Sequence, residues 1–126
     1  MREFAREEWQ RAQRALQAAE QLIETDPDSS ASRAYYAAFH AVTALFALHD
    51  RSFSKHAAVR TAVHREMVNT GKWPPDLGKD YDYLMDLRET GDYGGLTHVS
   101  ESDALSAVDT GKRILEAVRT SCSELA

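Results

Sequence analysis

The sequence predicts an all-α fold, an up-and-down helical bundle of four to five helices, and three observations predict it. Apolar residues recur at steps of three and four in successive segments, proline and glycine fall between those segments, and no run reads as a credible strand. With 126 residues, 43% hydrophobic and 28% charged, the chain is sized for a single domain over 1–126 around one core. Halving it would leave each part too little surface to bury.

In the first segment Trp9, Ala12, Leu16, Ala19 and Ile23 form one stripe, which predicts a helix from about Glu3 to Glu24. The run TDPDSS interrupts it, with Asp26 placed to cap and Pro27 suited to a first turn. The second helix, roughly Ser29 to Leu48, is apolar nearly all round and so is expected to be central. HDRSFS closes it, and Ser54 is the expected N-cap of a third helix whose stripe is Val59, Ala62, Val63 and Met67 and whose end is Gly71.

Trp73-Pro74-Pro75 reads as a rigid connector into a fourth helix. There Leu77, Tyr81, Leu84 and Arg88 share a line, so a guanidinium stands where the stripe calls for another apolar side chain. The glycines of ETGDYGGLTHVS are expected to end that helix. Ser100 and Asp103 then resemble a capping box opening the last helix, along which Ala104, Val108, Gly111, Leu115, Val118 and Cys122 form a seam. Gly111 on that seam suggests close helix approach.

A formal charge of −5 argues against a surface that grips nucleic acid everywhere, because such binding draws on clustered Lys and Arg; it leaves a local basic patch open. Cys122 is alone and cannot form an internal disulfide. The opening MREFAREEWQ lacks the apolar stretch of a secretory signal, and the run Ala37 to Leu48 is too short to span a bilayer. A cytoplasmic location, away from any membrane, is the expectation.

Two constellations carry chemistry. Arg33 and His40, seven residues apart, lie nearly eclipsed on one helix face with Tyr36 between them. Arginine suits a phosphate and histidine can bind or move a proton near neutral pH. The plainer alternative makes His40 a hydrogen-bonded core residue and pairs Arg33 with a neighbouring carboxylate. The second group is Arg88, Asp92 and Tyr93, either a small polar site near a helix end or simply an i, i+4 salt bridge closing the helix. His49, His56, His64 and His98 show no spacing of a zinc site, and no phosphate-binding glycine loop is present, so neither metal nor cofactor is expected.

The segments SRAYYAAFHAVTALF (32–46), SKHAAV (54–59) and LRETGDYG (87–94), followed by an amphipathic helix, resemble the HEPN superfamily, specifically its small stand-alone prokaryotic proteins, formerly catalogued as an uncharacterised protein family. The resemblance implies a helical bundle that dimerises, and a toxin–antitoxin-like pairing with a small nucleotidyltransferase. It implies a module that binds a nucleotide, RNA or a partner protein, with a metal-independent ribonuclease as the alternative. In active members the site is an Arg followed by four to six residues and a His. The matching segment here is Arg88 to Tyr93, with Tyr93 at the histidine position. Arg33 and His40 have the spacing for that chemistry but stand on the central helix.

Overall fold

The computed structural model describes residues 1–125. Its helices are α1 (Arg2–Leu22), α2 (Pro27–Ala47), α3 (His56–Ala62), α4 (Pro75–Tyr93) and α5 (Glu101–Ser121); a π-helical turn, Val63–Val68, continues α3, and a short 3-10 turn, Ser123–Leu125, follows α5. Among the described residues there is no strand, as the periodicity predicts.

Helix α2 begins where the sequence places its signals: the Asp26 carboxylate accepts the Ser29 N–H at 3.2 Å and the Ser29 hydroxyl at 2.6 Å, and Pro27 occupies the first turn. This helix packs against α1, α4 and α5 together, which explains its apolar circumference. Ala31, Ala34, Ala37, Ala38, Ala41 and Ala44 are all fully buried, and these small side chains let the surrounding helices approach closely. The α5 seam is buried as expected, and the Ser100 hydroxyl accepts the Asp103 N–H at 3.0 Å. A Cβ on Gly111 would meet Leu16 Cδ1 at 3.4 Å, ordinary contact, so the close approach expected there is not tight.

Three local expectations are corrected. Ser54 does not cap α3; the N-cap is Lys55 and no side chain fills the role. The helix starts where tertiary contacts fix His56, whose ring stacks on Phe39 at 4.3 Å. Gly71, at φ +80°, lies in the turn beyond the π segment rather than at its last residue. Helix α4 runs through Gly91 to Tyr93 instead of unravelling there. Gly91 serves a different need: a Cβ at that position would lie 2.7 Å from the Asp28 carbonyl oxygen, so its absence lets α4 touch the first turn of α2.

The turn after α2 places Asp50 at φ 56°, with the Arg51 N–H returning to the Phe46 carbonyl at 3.0 Å. This left-handed position favours glycine. Replacing Asp50 with Gly is therefore expected to stabilise the fold by about 0.5–1 kcal/mol in chemical denaturation, because a left-handed L-residue is strained by roughly 1–2 kcal/mol and glycine's larger unfolded-state entropy offsets part of the gain.

Candidate functional site

Tyr36, half-buried on α2, is the meeting point of the candidate residues. The Arg33 guanidinium lies 5.4 Å from the centre of its ring and the Arg88 guanidinium 5.5 Å, while the His40 ring is 6.2 Å away, centre to centre. Arg33, Tyr36 and His40 come together because they fall one turn apart on α2. Arg88 joins them from α4, donating from Nη2 to the Tyr36 hydroxyl at 3.0 Å.

On the α1 side, the Glu8 carboxylate, 6% exposed, lies 3.1 Å from His40 Nδ1. Burying a carboxylate is costly unless it is paired, so Glu8 fixes the His40 ring and favours a proton on Nδ1. Beside this pair is a shallow hollow of about 300 Å³ lined by Arg11, Arg14, Ala15, Ala18, Arg33 and His40. Arg11 reaches Glu8 at 3.7 Å; among the described residues Arg14 and Arg33 pair with no carboxylate. The hollow is therefore a local concentration of positive charge on an acidic chain.

On the α4 side, Arg88 is wedged among three tyrosines, its guanidinium 5.5 Å from the centre of the Tyr35 ring and 5.6 Å from that of Tyr93. Its Nε donates to Asp92 at 3.1 Å, and the Ser32 hydroxyl donates to the same carboxylate oxygen at 3.4 Å. Burial alone would lower the Arg88 pKa, but the Tyr36 hydroxyl bond and the neighbouring tyrosine and Asp92 charges hold it above its ordinary value. The guanidinium is thus a fixed cation within an aromatic wall.

Behind that wall the Tyr35 hydroxyl and His56 Nδ1 are 2.7 Å apart. Burial pushes the Tyr35 hydroxyl pKa up, and burial followed by nearby Arg88 and His40 pushes the His56 pKa down. Neutral His56 suits its stack on Phe39. Nearby, Asp28 at the start of α2 clasps the segment after α4, accepting the Val99 N–H and meeting His98 Nδ1, each at 2.7 Å. The Val99 N–H bond, only partly opposed by burial and aided by His98, holds the Asp28 carboxyl below its usual range. This clasp fixes the stretch that leaves Tyr93 69% exposed beside Arg88.

All six residues singled out from the sequence, Arg33, Tyr36, His40, Arg88, Asp92 and Tyr93, therefore gather on one face. The plainer alternative for the first group is half present, since His40 is hydrogen-bonded to Glu8 but Arg33 finds no carboxylate among the described residues; that for the second is present in full, since Arg88 bridges to Asp92. Sequence reasoning missed Glu8, Arg11, Arg14, Tyr35 and the place of His56. A glutamate at position 8, adjoining Trp9 of the α1 stripe, was the available signal for a buried acid. Among the described residues no three His, Cys, Asp or Glu side chains converge as metal ligands would. No described helix is long and apolar enough to cross a membrane.

The chain matches the family model described as HEPN domain over residues 5–121. It is 36% identical over 121 residues to a UPF0332 protein of Thermotoga maritima, covering 94% of this chain and 92% of that protein. It is also 31% identical over 108 residues to a UPF0332 protein of Gloeobacter violaceus, covering 84% and 86% respectively.

The depressed His56 pKa gives a pH test. The folded state keeps His56 neutral while the unfolded chain takes up its proton at the ordinary value of 6.5, so acidification favours unfolding. Stability should therefore fall as pH drops below that value, and more steeply in the native protein than in His56→Gln, as read by urea denaturation across the range. An equal slope in both proteins would show that His56 is not held neutral.

Proposed function

The chain belongs to the HEPN family, and from that premise we propose that its Tyr36 face binds the phosphate groups of a nucleotide or an RNA strand. The observation that carries this reading is the hollow between α1 and α2, where Arg14 and Arg33 remain without carboxylate partners among the described residues and Arg33 lies beside the Tyr36 ring. Arginine presents paired donors that match phosphate oxygens, and an adjacent aromatic ring can take a base by stacking. Arg88 contributes its charge from behind, held there by its bonds to Tyr36 and Asp92.

A metal-independent ribonuclease is the second reading, favoured by one observation: Glu8 holds His40 Nδ1, which leaves Nε2 free among the described residues. In that reading His40 accepts the proton of a ribose 2′-hydroxyl at Nε2, the 2′-oxygen attacks phosphorus as the bond to the 5′-oxygen of the next nucleotide breaks, a 2′,3′-cyclic phosphate remains, the released 5′-oxygen takes a proton from water, and Arg33 stabilises the charge on the phosphoryl oxygens. Tyr93, at the position where active relatives would carry histidine, has no side chain suited to that proton transfer near neutral pH. We also propose self-association and a small nucleotidyltransferase-type partner, as the family resemblance implies; exposed Tyr93 and Leu96 mark the segment where a partner would meet the site.

Fluorescence anisotropy with a short single-stranded RNA, and competition by ADP, tests the binding reading. Arg14→Glu with Arg33→Glu is expected to weaken binding by about tenfold or more and to flatten the salt dependence, by roughly 0.7 in log–log slope for each phosphate that is no longer neutralised. Unchanged affinity in that variant would refute it. Cleavage of the same RNA that disappears in a folded His40→Ala protein would establish the ribonuclease; no cleavage by the native chain removes that reading and leaves the binding one.

A further inference from the structure

We propose a second ligand site at the far end of α2, one that takes a small amphipathic monoanion: an acyl or aryl body carrying a single carboxylate. A hollow of about 610 Å³ lies there and shares no lining residue with the Tyr36 face. That volume is in the range of pockets that hold small organic molecules. Its floor is apolar and otherwise buried, made by Leu45, Phe46 and Met67, each at most 6% exposed.

Two departures from regular backbone converge on this one place. Asp50 is held at φ 56°, which swings Arg51 back over the end of α2. The π-helical turn Val63–Val68 presents Met67 and Glu66 to the same hollow. Both departures cost free energy, and such costs tend to gather where a site needs a particular wall.

The charge at the rim selects the ligand. Glu66 is tied to Arg51 at 2.5 Å, so that pair is nearly neutral as a unit. Lys72 and His49, also on the rim, have no ion-pair partner among the described residues. One free ammonium above an apolar floor, with the Arg51–Glu66 pair neutral beside it, suits one carboxylate. This separates the pocket from the arginine-rich hollow between α1 and α2, and the proposal stands independently of what binds there.

Trp73 supplies the reporter, because its indole N–H donates to the hydroxyl of Ser121 in the pocket wall at 3.4 Å. The full chain is titrated with octanoate, 2-naphthoate and octan-1-ol while amide and indole NMR signals are followed. Either anion is expected to shift the Trp73 indole and Lys72 amide signals saturably, with the alcohol weaker by about tenfold or more. The tighter of the two anions identifies the body as acyl or aryl. Lys72→Ala, an exposed position, should weaken the anion several-fold and leave the alcohol unchanged; His49→Ala should weaken the anion less. No saturable shift at millimolar anion, equal binding of acid and alcohol, or shifts confined to the Tyr36 face would each overturn the proposal.

Discussion

The hydrogen bond from Arg88 to the Tyr36 hydroxyl is the interaction that holds the site in place. It crosses between two helices, joins residues 52 positions apart in sequence, and fixes a cation that is largely withdrawn from water. A guanidinium so placed needs partners for its donors, and Tyr36 and Asp92 provide them. With Arg88 fixed, the Tyr36 ring is fixed, and with it the wall against which Arg33 lies. Gly91 makes this geometry available: by removing a side chain where α4 meets Asp28, it lets the Arg88–Asp92 turn sit against Ser32 at the start of α2.

This arrangement divides the labour among the charges. Arg88 commits its Nε donor to Asp92 and an Nη2 donor to Tyr36, whereas Arg14 and Arg33 have no carboxylate partner among the described residues. His40 lies between the two roles, oriented by a buried glutamate and facing a hollow of positive charge. On an acidic chain these arginines form a local patch of positive charge, the feature on which the proposed phosphate binding draws. Burial, followed by nearby Arg88 and His40, lowers the His56 pKa and so favours the neutral ring in its Phe39 and Tyr35 contacts at the head of α3.

Much of this is legible in the sequence, and the reasons differ by element. The helix stripes, the Asp26 cap with Pro27, and the apolar circumference of α2 follow from local chemistry and period, so they read directly. Arg88 stands out because a charge on an apolar line needs an explanation, and its partners prove to be tyrosines of α2 with Asp92 and Tyr93. The end of α4 misleads because glycine has two uses; at Gly91 it serves helix contact, and only the fold reveals which helix arrives there. Ser54 misleads for a related reason, since the stacking of His56 on Phe39 sets the start of α3 more firmly than a capping hydroxyl would. Glu8, Arg11 and Arg14 escape notice because an isolated charged residue on an amphipathic helix ordinarily faces water, and their convergence on His40 depends on how α1 crosses α2.

Tyr36 and Arg88 must be energetically coupled across α2 and α4, rather than merely adjacent, if their hydrogen bond holds the two halves of the site together. A double-mutant cycle measures this coupling, using Tyr36→Phe, Arg88→Leu and the combined variant in chemical denaturation. A hydrogen bond to a charged group contributes about 1.5–3 kcal/mol, so a coupling of at least about 1 kcal/mol is predicted. Additive effects of the two changes, with a coupling near zero, would contradict this and separate the two halves of the site.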